Sequence, residues 1–174
     1  MAKPTLTNEM KSSAQKAIDF AQKYYQTKLN YNENGIKKVE RIIDDLYDQL
    51  PRTKTGKLSR CGSLSAMING ICAIFGAYIG EVIRQHYGGR WKLESLASGE
   101  EIISLQIEGT HVSPTQKVYK RLAYGASGDL WSYYKMVRRT LKEYKDGSLF
   151  KAAPDARANR RRVNSTPDKE ATRR

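Results

Sequence analysis

Between Thr7 and Leu29 the apolar residues Met10, Ala14, Ala17, Ile18, Ala21, Tyr25 and Leu29 return every three or four positions, the spacing that gathers side chains on one face of a helix. Asn30, Asn32, Asn34 and Gly35 form a polar turn cluster. A second helix is expected from Glu33 to Leu50, where Ile36, Val39, Ile43, Leu46 and Leu50 make a narrow stripe that Pro51 ends. The short connection predicts that these two helices pack as an antiparallel pair. Residues 51–60, PRTKTGKLSR, are a basic loop. From Ser63 to Tyr87 a third helix carries Leu64, Met67, Ile68, Ile71, Phe75, Tyr78, Ile79 and Val82 on a broad apolar face. Its other flank holds the small residues Ala66, Gly70, Ala73, Ala77 and Gly80. Glycine inside a helix costs up to about 1 kcal/mol relative to alanine. The flank is therefore expected to receive another element at close range, making this the central helix.

After Gly88-Gly89 the period falls to two. Arg90–Glu94 and Glu101–Glu108 read as a β-hairpin, with a third short strand at Thr110–Val112. A helix restarts after Pro114 and runs to Ala123. A last one spans Ser127–Tyr144, with Leu130, Tyr134, Val137, Leu141 and Tyr144 buried. The fold class that follows is α+β: a helical N-terminal half whose central Gly-rich helix packs on a small antiparallel sheet, in one domain over residues 1–149. Residues 150–174 form a basic C-terminal tail. Between residues 151 and 174 eight cations stand against three carboxylates and one large aliphatic residue, Val163. That is too little apolar surface to offset the entropy of ordering, so the tail is expected to be disordered when free.

Charge narrows the function. The chain carries 31 Lys and Arg against 18 Asp and Glu, a net charge of +13, of which the tail contributes +5. The folded part is therefore basic in its own right. Lys135, Arg138, Arg139 and Lys142 on the last helix, beside Tyr133, join Lys117, Lys120, Arg121, the Arg52–Arg60 loop and tail residues Arg160, Arg161 and Arg162. Together they form an expected contact surface for an acidic protein or a polyanion. No nucleic-acid-binding motif accompanies the charge, so non-specific contact with nucleic-acid phosphates is the alternative reading.

The remaining chemistry is sparse. Asp44, Asp45 and Asp48 have a spacing that could share a divalent cation, but they read as a solvated acidic face paired with Lys37, Lys38 and Arg41. TGKLS lacks the rest of a phosphate-binding loop. His86 and His111 lie outside any ligand-spaced cluster, and no metal or cofactor is called for. Glu81 interrupts the apolar helix, and a carboxylate beside a core needs a partner; Arg84, Arg90 or Arg121 could supply a structural ion pair. A catalytic site would need Glu81 and His86 in one open pocket. Cys61 and Cys72 would lie about 16 Å apart along a helix, beyond disulfide reach, which indicates a reduced, cytoplasmic protein. The N-terminus shows no secretory signal, and the uncharged run from Cys61 to Gly80 reads as a core helix rather than a membrane span.

Gly76, Gly80, Glu81, Gly89, Trp91, Pro114, Lys120 and Arg121 occur in an order that resembles a bacterial family of small domains of unknown function: a helix with G-x-x-x-G-E, a glycine-linked tryptophan strand, then proline followed by a Lys-Arg pair. The resemblance implies an α+β fold, no catalytic residues, and for some members a role as immunity partner of a bacterial toxin. The leading expectation is thus a non-enzymatic binding protein that docks a basic and aromatic face on an acidic protein partner.

Overall fold

The computed structural model describes residues 5–59, 61–95, 99–125 and 129–146. Within them the chain forms α1 (Leu6–Tyr25), α2 (Glu33–Gln49), α3 (Ser63–Tyr87), β1 (Arg90–Ser95), β2 (Glu101–Ile107), β3 (Thr110–Val112), α4 (Pro114–Tyr124) and α5 (Leu130–Lys145). The α+β class is as the periodicities predict. The tail, with Arg160, Arg161 and Arg162, and the expected boundary at residue 149 lie outside the described residues.

The ends of the N-terminal helices follow from local chemistry. The Thr5 hydroxyl accepts the Asn8 N–H, and the Asn32 side chain accepts the Gly35 N–H at 3.0 Å, each satisfying a donor that the first helical turn leaves open. α1 stops at Tyr25, short of the expected Leu29, because Gln26 turns left-handed at φ 48°. Leu29 is nonetheless buried, as part of the connecting loop.

The expected pairing of α1 with α2 is not what forms. α1 lies along α3, and α2 packs chiefly on α4. The buried residues of α1 are Met10 and the alanines 14, 17 and 21. The small side chains of α1 suit close packing against α3, whereas the larger Ile36, Val39, Ile42 and Ile43 are buried on α2, which packs chiefly on α4. Periodicity identifies a face and says nothing of its partner.

α3 is the central helix, with Ile68, Phe75, Tyr78, Ile79, Val82 and Ile83 fully enclosed. It is long and apolar enough to cross a membrane, but most of that apolar stretch is covered by the rest of the protein. Its small-residue flank serves for close approach only over its C-terminal half. A Cβ on Gly76 would lie 2.5 Å from the Cα of Thr115 on α4, and one on Gly80 would overlap the Trp91 ring of β1. Ala66, Gly70 and Ala73 are exposed instead, which corrects the expectation for that part of the flank.

The sheet is antiparallel in the order β1-β2-β3, pairing Trp91 with Leu105 and Leu105 with Val112. Trp91, Leu105, Ile107 and Val112 belong to the same core as α3. β2 and β3 are joined by Glu108-Gly109, both at positive φ (44° and 81°), the two-residue turn whose twist matches that of the strands.

Candidate functional site

Four polar arrangements compete for a functional role, and three are structural. The first surrounds Glu81, which is only 1 % exposed. It accepts from Arg84 Nε at 2.7 Å and Nη2 at 2.9 Å, a charge-assisted fork, and from the Trp91 indole Nε1–H at 2.8 Å. Three donors satisfy this buried carboxylate. His86 points elsewhere, its Nδ1 lying 2.7 Å from the Val82 carbonyl, so the two share no open pocket. Arg84 is the partner among the three arginines considered. Its guanidinium is held above its usual pKa, chiefly by the hydrogen bond to Glu81.

Arg121 belongs to a second cluster, not to Glu81 as one expectation had it. Its Nε donates to Glu40 Oε1 at 2.7 Å, and its Nη2 pairs with Asp44. Glu40 Oε2 also accepts the N–H groups of Leu130, at 2.5 Å, and Trp131, at 3.0 Å. A carboxylate on α2 thereby caps the start of α5 while neutralising a cation on α4. Asp129 adds the local cap, accepting from the Trp131 and Ser132 N–H groups at 2.8 and 3.2 Å. Burial opposes ionisation of Asp129, but the Ser132 hydroxyl and these N–H groups outweigh it and hold its carboxyl below the usual range.

Two of the D-D-x-x-D residues, Asp44 and Asp45, are also occupied, though not by the lysines expected. Asp44 faces Arg121, and Asp45 accepts the Tyr25 phenol at 2.9 Å and the Gln49 amide at 2.6 Å. Among the described residues no group of carboxylates, histidines and cysteines could hold a metal ion. Arg52 drops out of the contact surface as well. Its guanidinium lies 3.7 Å over the Tyr47 ring and donates to the carbonyls of Tyr47, Leu122 and Ala123, closing the C-terminal end of α4.

The basic surface on α5 is divided in two by the helix itself. Leu130, Tyr134, Val137 and Leu141 face the core. Trp131, Lys135, Arg138 and Lys142 then fall on one flank by their three- and four-residue spacing, and Tyr133, Met136 and Thr140 on the other. The first flank is largely committed within the protein. Arg138 Nη1 pairs with Glu33, and Lys37 and Lys135 sit 4.6 and 5.7 Å from the Trp131 ring centroid, while Trp131 also stacks on Tyr134. Arg139 lies between the two flanks and is exposed; Lys142 is exposed in the last turn.

The second flank forms one wall of a groove of about 480 Å³. β3 and the residue after it, Thr110–Ser113, make the opposite wall, and Lys117 and Lys120 of α4 rise from the floor. No carboxylate lines it among the described residues. Met136, 58 % exposed, offers apolar surface at the lip. Lys117 Nζ lies 5.7 Å from the Tyr133 ring centroid. Burial raises the Tyr133 phenol well above its usual pKa, with its oxygen against the Ser113 backbone, so the ring remains neutral and packs as a wall. His111 has its Nδ1 at 2.5 Å from Glu94 of β1 and its Nε2 at 3.4 Å from the Gln106 amide, which fixes the imidazole over the sheet.

The cleft between α1 and α2 is less suited. A space of about 550 Å³ between the end of α1 and α2 contains Tyr25 and Asp45, already bonded to each other, and Lys38, which donates to the Lys28 carbonyl. The groove therefore unites Lys120 and Tyr133 with Lys117, while Lys135, Arg138 and Lys142 stand on the far flank. Met136 is a groove residue with no counterpart in the sequence expectations, and His111, expected there only to lie outside any metal-ligand cluster, also lines the groove. Comparison with protein-family models, with curated proteins and with solved structures finds no match to this chain.

Proposed function

We propose that this chain is a non-enzymatic binding protein that docks the groove between β3, α4 and α5 on an acidic protein partner. The observation that carries the reading is the composition of that groove: two lysines on its floor, a neutral half-buried tyrosine and an exposed methionine on its wall, and no carboxylate among the described lining residues. An acidic segment that also presents an apolar side chain complements all of these at once. Charge would speed encounter, and burial of Met136 and Tyr133 would slow release.

The polar clusters around Glu81 and Glu40 are saturated by internal donors and make fold, not chemistry. The far flank of α5 is a poor platform for nucleic-acid bases, because the Trp131 ring is occupied by Tyr134, Lys37 and Lys135. The immunity-type role, in which docking covers a toxin, rests on the resemblance carried by Gly76, Gly80, Glu81, Gly89, Trp91, Pro114, Lys120 and Arg121.

The test is binding of a fluorescent peptide of mixed glutamate and valine to the intact chain and to two charge reversals, Lys117→Glu/Lys120→Glu and Lys135→Glu/Lys142→Glu. The first pair should weaken binding by roughly tenfold or more, since two cation contacts are reversed. The second should change it only slightly. Equal loss from both pairs would overturn the groove as the docking surface. Preference for a short mixed-sequence oligonucleotide over the peptide, with a steep fall in salt, would replace an acidic protein with nucleic acid as partner.

A further inference from the structure

The groove wall opposite α5 is the open edge of the sheet. β3 has β2 on one side only, and the groove lining includes residues of β3 but none of β1 or β2. It therefore lies on the side of β3 away from its partner strand.

The hairpin fixes which backbone groups face that side. Glu108-Gly109 is a two-residue turn closed by Ile107 and Thr110, and in such a turn the closing pair exchanges both of its hydrogen bonds. Bonded and non-bonded pairs then alternate along an antiparallel ladder. Leu105 and Val112 are the next bonded pair, and Gln106 with His111 is the non-bonded pair between them. The N–H and C=O of His111 consequently point away from β2, into the groove. The His111 side chain is held over the sheet by Glu94 and Gln106, so it does not cover its own backbone.

We infer that the partner is recognised by strand addition: an extended acidic segment lies in the groove as a fourth strand beside β3. This rests on the docking reading above and specifies the form the partner takes. One residue of the segment gives its N–H to the His111 carbonyl and accepts the His111 N–H, both from the same backbone unit. Alternate side chains of the added strand turn toward Met136 and Tyr133, and carboxylates reach Lys117 and Lys120.

The backbone pattern selects among anionic partners. His111 presents one donor and one acceptor side by side, which a peptide unit matches. A phosphodiester offers acceptors only and would leave the carbonyl unmatched. A second copy of this chain, adding β3 to β3, would bring two sets of Lys117 and Lys120 toward one another, and like charges oppose that pairing. The three-residue length of β3 limits the ladder to the bonds at His111, so the groove contacts must supply the remaining affinity.

The experiment uses the isotopically labelled full chain and a short end-blocked peptide of alternating glutamate and valine, in plain form and with alternate backbone amides N-methylated. The plain peptide should bind, slow hydrogen exchange at the His111 amide by at least about tenfold, and lose about tenfold or more in affinity on methylation, the value of one or two hydrogen bonds. Should both peptides bind equally, with His111 unprotected and with binding abolished by Lys117→Glu/Lys120→Glu, strand addition is overturned while docking of an acidic partner stands. Failure of both peptides alongside oligonucleotide-induced shifts at Lys117 and Lys120 overturns both. Concentration-dependent dimerisation that protects His111 without peptide overturns the choice of occupant.

Discussion

Trp91 donates its indole N–H to Glu81 through the space that Gly80 leaves by having no side chain. The strand therefore reaches the buried carboxylate only because the helix is bare one residue earlier. Gly80→Ala sets two effects against each other. Alanine gains up to about 1 kcal/mol of helix propensity, but its methyl overlaps a ring that is itself buried and hydrogen-bonded. Crowding of that kind costs about 1–3 kcal/mol, and the loss wins. Gly70→Ala, on the same helix with nothing within 4 Å of its Cβ, should show the propensity gain alone. Urea unfolding of the two variants should move in opposite directions.

Glu40 holds three donors from two elements, and its removal should be among the most damaging single changes. Glu40→Ala leaves Arg121, whose side chain is 9 % exposed, with Asp44 alone, and strips two N–H groups at the start of α5 of their acceptor. Breaking a buried pair on one side costs about 3–5 kcal/mol. Partial exposure of Glu40, at 16 %, places the expected loss at the lower end. Glu40→Gln keeps an acceptor for α5 and should lose less. By contrast Glu33→Ala removes an exposed partner of Arg138 and should cost under about 1 kcal/mol. Thermal unfolding of the three variants should rank them in that order.

The contrast between Glu81 and Glu40 shows how far the fold was legible in the sequence. Glu81 stood out because it breaks an apolar run, and Arg84, one helical turn away, was one of three arginines that could answer it; the structure selects Arg84. Trp91 as third donor depends on β1 crossing α3, which spacing does not encode. Glu40 carried the same signal in weaker form: it lies four residues after Ile36 and three before Ile43, on the apolar stripe of α2, yet resembles an ordinary surface glutamate. The end of α3 was legible because the helical period gives way to a period of two after Gly88-Gly89. The groove was only half legible. Lys117, Lys120 and Tyr133 were visible as basic and aromatic residues, but the division of α5 into a committed and an open flank required knowing what Glu33 and Trp131 do.

Tyrosines govern the alkaline limit of stability. Burial, then the hydrogen bond and charge of Asp45, push the Tyr25 phenol up to about 12, and burial with help from Tyr87 and Glu33 takes Tyr134 to about 12 as well. In the unfolded chain both titrate near 10. Below pH 10 both states keep the proton and stability is insensitive to these groups. Between about 10 and 12 the unfolded state loses protons first, so it binds fewer than the folded state and stability falls as pH rises. Tyr25→Phe should flatten part of that fall while forfeiting the bond to Asp45 at neutral pH. Urea midpoints measured from pH 8 to 12 check both halves; a wild-type midpoint that stayed level through pH 12 would contradict them.

Arg52 distinguishes a cation that binds partners from one that closes a helix. Its guanidinium spans the carbonyls of Tyr47, Leu122 and Ala123 while sitting over the Tyr47 ring, a set of contacts that suits a planar fork. Lysine keeps the charge but offers a single ammonium that cannot reach three carbonyls and stack at once. If charge for a partner were the role, Arg52→Lys would be silent in folding and in peptide binding. Closure of α4 instead predicts a stability loss of about 1–3 kcal/mol, from hydrogen bonds to a charged group that are no longer made. Acidic-peptide affinity at the groove should remain within about twofold, because Lys117 and Lys120 are untouched. Denaturant unfolding and peptide titration on the same variant separate the two roles.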